Sequence, residues 1–118
     1  MAGALEDPVH AAIVAWIKAV APSCVVVHVP NELQRHKLTR FKQAKLGART
    51  GAADLIVFAP WKVLCIEVKR EVGGVLSKAQ KAFRDDVRGL GHHWAVCRSI
   101  DDARNAFAAA QIETKEAR

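Results

Sequence analysis

No apolar run in this sequence approaches the roughly 20 residues that a helix needs to cross a bilayer, and no basic-then-apolar leader opens it. The expectation is a cytoplasmic protein without a membrane partner. Cysteine is scarce: Cys24, Cys65 and Cys97 are odd in number and fall in expected strands. They fit reduced, buried thiols better than disulfides or a zinc site. Linkers, internal repeats and low-complexity stretches are absent, and 118 residues leave room for one domain over 1–118, not two. Acid is missing altogether from residues 35–50 (RHKLTRFKQAKLGART), which carry Arg35, Lys37, Arg40, Lys42, Lys45 and Arg49.

What is present is ordinary in bulk and unusual in placement. The chain is 51% hydrophobic and 25% charged, as a globular domain should be. Its net charge of +6, from 18 Lys and Arg against 12 Asp and Glu, favours an anionic partner such as nucleic acid. The organising stretch is Gly51–Arg70, GAADLIVFAPWKVLCIEVKR, which reads as a β-hairpin: apolar Leu55–Ala59, a Pro60-Trp61 turn, apolar Val63–Val68. A turn centred between Pro60 and Trp61 pairs residues whose numbers sum to 121, placing Asp54 opposite Glu67. Opposed residues project from one face about 4.5–5.5 Å apart, and period 2 adds Lys69 to that face while Leu64, Ile66 and Val68 point away.

Two carboxylates that close repel unless a cation or a shared proton lies between them. Magnesium accepts one or two carboxylates and keeps several waters. A neighbouring lysine can orient a water or stabilise developing negative charge. The competing reading is a surface ladder of ion pairs around Lys69. Near-continuous Val, Ile and Leu in both strands argue against it, because strands covered on both faces bury their charges, and buried charges need a partner or a metal.

Asp, about a dozen residues, then Glu-x-Lys resembles the signature of the PD-(D/E)xK nuclease superfamily. Glu6-Asp7-Pro8-Val9-His10, Pro30-Asn31-Glu32, Gly51-x-x-Asp54-Leu55, Ile66-Glu67-Val68-Lys69 and Leu76-Ser77-x-x-Gln80 together resemble the VRR-NUC family, in particular its small standalone phage and bacterial members. The resemblance runs from residue 5 to about 107. It implies a restriction-endonuclease-like core, an α/β fold with a small central mixed β-sheet flanked by helices. It also implies a Mg2+- or Mn2+-dependent deoxyribonuclease without organic cofactor, acting as a homodimer on branched or junction DNA in a phage or prophage setting. Asp54 and Glu67 would hold the metal with the Val68 carbonyl as an extra ligand, and Lys69 would serve the attacking water, supported by Glu6 and Gln80. The alternative is a nucleic-acid-binding module with a vestigial site. The family often has proline where Ala53 precedes the aspartate, and a glutamine where this chain has His10.

In chain order, Asp7 as N-cap and Pro8 as first helical residue predict a helix carrying Val9, Ala12, Ile13, Trp16, Ile17 and Val20 inward. Glu6, at its mouth, either complements the helix dipole or reaches the site. Ser23–Val29 predicts a strand in which His28 is a packed or edge histidine. The basic run predicts a short helix seated by Leu38, Phe41 and Leu46 and ended by Gly47, either a solvated face or, so close to the site, a phosphate grip. Ser77-x-x-Gln80 fits a capping box, so Gln80 has two readings, cap or active-site amide. The helix it opens turns Phe83, Val87 and Leu90 inward. His92 and His93 begin a strand and point to opposite faces, so at most one could line a site. A last helix packs through Ala106, Phe107 and Ala110, and residues 112–118 form a tail expected to fray.

Overall fold

A computed structural model describes residues 2–30, 41, 42 and 44–116, with side chains from Glu6 onward. The elements run α1 (Ala2–Val20), β1 (Val25–His28), β2 (Leu55–Ala59), β3 (Lys62–Val68), α2 (Lys78–Gly89), β4 (His93–Cys97) and α3 (Ile100–Ala109). Among the described residues no helix is long and apolar enough to cross a membrane.

The strands form one mixed sheet in the order β1-β2-β3-β4, antiparallel across the first two pairings and parallel between β3 and β4. The expected small mixed α/β sheet flanked by helices is therefore present. Ala59 pairs with Lys62 and Leu55 with Ile66, so the hairpin has the two-residue Pro60-Trp61 turn and the register read from its sequence. Trp61 makes that turn at φ 63° and is fully solvent-exposed. A left-handed conformation costs a non-glycine residue roughly 1–2 kcal/mol.

Period 2 divides the sheet into two faces. Leu55, Val57, Leu64, Ile66, Val68 and Cys97 meet Ile13, Trp16, Ile17 and Val20 of α1 and Ala103, Ala106 and Phe107 of α3 in the main core. On the other face Cys65 and Trp94 join Ala53, with Phe83 and Val87 of α2 laid over them. The three cysteines are free, Cys65 and Cys97 buried and Cys24 half-buried; burial pushes the Cys97 thiol up to about 12.

Four expectations are corrected. Helix α1 begins at Ala2 with Pro8 inside it, rather than at Asp7-Pro8, and Ala12 on it is exposed rather than inward. An interior proline removes a hydrogen bond and crowds the carbonyl four residues back, so it marks a weak point in α1 and not its start. Phe41 and Leu46 are 69% and 72% exposed, so they do not seat the basic segment on the core; Leu38 lies outside the described residues. Leu90 is likewise 77% exposed, being the C-cap of α2 and past its inward face.

The tail expected to fray is tied down as far as residue 116. Ile112 is buried, and the Lys115 N–H donates to the Val20 carbonyl at 2.6 Å. Arg104 forms a two-pronged pair with Glu116, 2.7 Å on each prong, and the Trp16 indole N–H donates to Glu116 at 2.8 Å. These bonds to the Arg104 guanidinium hold the Glu116 carboxyl well below its usual range.

Candidate active site

Asp54 stands one residue ahead of β2 and Glu67 one before the end of β3, so the pairing of Leu55 with Ile66 carries on to bring them face to face. The strand end fixes Asp54 directly: its Oδ2 accepts the Val68 N–H at 2.8 Å. Its backbone carbonyl accepts the Val29 N–H at 2.8 Å, so β1 holds the same residue from the other side. Lys69 follows β3, its own N–H donating to the Cys97 carbonyl at 3.1 Å.

Glu67 is only 3% exposed, and Lys69 only 9%. Glu67 Oε2 accepts the Gln80 Nε2–H at 3.1 Å, whereas Oε1 is buried without a hydrogen-bond partner. Burial raises the Glu67 carboxyl to about 9; a hydrogen bond that protonated Glu67 donates to the Asp54 carboxylate and the charge of Asp54 push the same way, and Lys69 opposes them. Burial likewise raises Glu6, again against the pull of Lys69. The three carboxylates and the lysine thus form one electrostatic group.

The group opens onto a cleft of about 290 Å³ lined by Glu6, Thr50, Gly51, Ala52, Asp54, Glu67, Lys69, Ser77 and Gln80. Glu6 reaches it from the turn of α1 ahead of Pro8. Gln80 reaches it from the first turn of α2, where it closes the capping box and also faces Glu67. Ser77 Oγ accepts the Gln80 N–H at 3.1 Å, Gln80 Oε1 accepts the Ser77 N–H at 2.8 Å, and the remaining Nε2 donates to Glu67.

A divalent cation fits these residues. The Glu67 Oε1 is a buried acceptor without a donor, and the acid pair retains a proton that a cation would displace. Among the described residues no group of three or more His, Cys, Asp or Glu side chains is placed to hold a metal ion, so a cation here would rest on two carboxylates and on water.

Gly51 is held by geometry rather than chemistry. At φ 86°, a Cβ on it would stand 2.4 Å from the Ala79 carbonyl carbon, so only glycine lets the turn ahead of β2 approach the mouth of α2. The Gly51-x-x-Asp54 spacing signals it in sequence. Thr50, Ala52 and Ser77 line the cleft without having been singled out for the site.

Other candidates lie elsewhere. Arg35, Lys37 and Arg40, together with Glu32, fall outside the described residues. Lys42 and Lys45 are exposed and do not line the cleft. Arg49 is committed to α2: its guanidinium lies 2.6 Å from Asp86 Oδ2 and 5.4 Å over the Phe83 ring. His10 and His28 stack edge to face at 4.7 Å, and His28 Nδ1 lies 3.3 Å from the Asp54 carbonyl, behind the cleft rather than in it. His93 pairs with Leu64 whereas Val96 pairs with Glu67, which at about 3.3 Å per residue puts His93 roughly 10 Å from the acid pair along the strand. His92 is exposed just ahead of β4.

No family model matches the chain, and no curated protein matches it. Among solved structures it is similar to a VRR_NUC domain protein, with a TM-score of 0.69 and 20% sequence identity over 90% of this chain and 87% of the other. At that identity the likeness is one of fold. The cleft and its motifs are thus carried on the fold of a VRR_NUC domain protein, the family that the motifs resemble.

Proposed function

We propose that this protein is a Mg2+- or Mn2+-dependent nuclease that hydrolyses DNA phosphodiester bonds. The observation that carries the reading is the half-buried Asp54 facing the buried Glu67, one of whose oxygens is unpartnered, beside the nearly buried Lys69 in one open cleft. Asp54 and Glu67 hold the ion, with the Val68 carbonyl as a further ligand. When bound, the ion neutralises phosphate charge and makes water a better nucleophile. Lys69 orients the attacking water and stabilises negative charge on the phosphate. Gln80 holds Glu67 by one oxygen and leaves the other for the ion. Glu6 accepts a proton or a hydrogen bond from water at the cleft's far wall.

The net charge of +6 supports an anionic substrate, and Lys42 and Lys45, with Arg35, Lys37 and Arg40, supply phosphate contacts. In this reading the protein acts as a homodimer and branched DNA is the preferred substrate. Incubation with supercoiled, linear and branched DNA, with and without Mg2+ or Mn2+, tests it. Asp54→Asn should lower cleavage at least a hundredfold, and Lys69→Ala should do the same while keeping DNA affinity. DNA binding without cleavage of any of the three by the unaltered protein would instead support the vestigial-site alternative.

A further inference from the structure

The chain between Lys69 and Ser77, both of which line the cleft, exposes two aliphatic side chains: Val72 is 83% exposed and Val75 85%. A loose loop would fold such residues down onto the nearest apolar surface, since burying aliphatic groups is favourable. This loop is clamped outward instead. The Arg98 guanidinium, at the end of β4, donates to the carbonyls of Arg70 at 3.0 Å, of Gly74 at 2.8 Å, and of Gly73. Asp102 anchors Arg98 in turn by accepting its N–H at 2.8 Å. Gly73 and Gly74 take φ 79° and 62°, and a Cβ on Gly74 would meet the side chains of Arg70 and Lys69 at 3.5 and 3.6 Å, so the clamped turn runs beside the stem of Lys69. The charges near the pair are mixed but mainly positive: nearly buried Lys69, half-buried Arg70 and exposed Glu71 precede it, and Lys78 and Lys81 stand exposed on α2 just beyond it.

We infer that Val72 and Val75 form a two-pronged apolar wedge that enters an opened base step next to the phosphate held in the cleft, so that the protein selects DNA whose bases are unpaired or readily unstacked. The inference rests on the nuclease reading above for its substrate. Aliphatic side chains inserted between base steps are repaid only where unstacking is cheap, and the flanking cations match the phosphates on either side of such a step. A perfectly paired duplex meets the prongs at its closed edge and gains nothing from them.

The test uses binding, so it stands apart from cleavage. Affinities of the metal-free full chain are measured for a paired duplex and for the same duplex with a two-base mismatch carrying 2-aminopurine. The unaltered protein should bind the mismatched duplex about tenfold more tightly and change its 2-aminopurine fluorescence. Val72→Ser with Val75→Ser should bring the two affinities together and abolish the fluorescence change, and Val72→Ile with Val75→Ile should keep both, separating apolar contact from a folding defect. Equal affinities for the unaltered protein, or an unchanged ratio in the serine variant, would overturn the wedge. Loss of metal-dependent cleavage alone would instead fall on the nuclease reading.

Discussion

Gln80 uses its two ends for different tasks, and that makes it a sensitive residue. Its Oε1 closes the capping box of α2 while its Nε2 is the donor to Glu67. Gln80→Glu keeps the cap acceptor but turns the other end into an oxygen facing a buried carboxyl. Losing a hydrogen bond to such a group costs about 1–3 kcal/mol, so the metal-free melting temperature should fall by roughly 5 °C and cleavage should fall with it. Retained activity would remove Gln80 from the site. Glu67 itself carries a pH dependence. Its carboxyl lies near 9 in the fold against a reference of 4.5, so between those values the folded state keeps a proton that the unfolded chain releases. Stability of the metal-free protein should therefore decline as pH rises from about 4.5 to about 9. Thermal melts across that range should show the decline, and Glu67→Gln, which cannot ionise, should flatten it.

At the scale of elements, the hairpin was legible because its turn and its alternation are local: Pro60-Trp61 sets the centre, and period 2 then decides which side chains share a face. The pairing of Asp54 with Glu67 and the addition of Lys69 follow from counting alone. The start of α1 was not legible, because Asp7-Pro8 is a good local start signal whether or not the chain ahead of it is helical. Nor could Arg49 be separated from its basic neighbours, since the partner that claims it, Asp86, lies 37 positions along the chain on α2. The packing of Gly51 against Ala79 is the long-range contact that brings α2 to the cleft. Gly51→Ala meets both a left-handed backbone, at roughly 1–2 kcal/mol, and a steric conflict with backbone. The expected result is a melting temperature lower by at least about 4–8 °C and cleavage down at least tenfold as Gln80 is pushed off Glu67. A variant with unaltered melting and activity would show that α2 can shift without consequence.

Among the described residues, one face of the sheet is covered by α1 and α3 and the other by α2. The cleft opens at the strand ends between α1 and the mouth of α2, where Glu6 and Gln80 converge from helices that are far apart in sequence. The strap from Glu116 to Arg104 and Trp16 closes the opposite side of the core. A charged tail gives no local sign of this, because its apolar and ionic partners lie on α1 and α3. The central claim is that the Asp54–Glu67 pair is a cation site serving phosphodiester hydrolysis. The most direct measurement is the initial rate of cleavage of branched DNA in Mg2+, in Mn2+ and in chelator, for the unaltered protein and for Glu67→Gln. The account predicts cleavage only with a divalent ion and a loss of at least a hundredfold in the variant, whose fold is retained by thermal melting. Cleavage in chelator, or a folded Glu67→Gln that cuts at the unaltered rate, would contradict it.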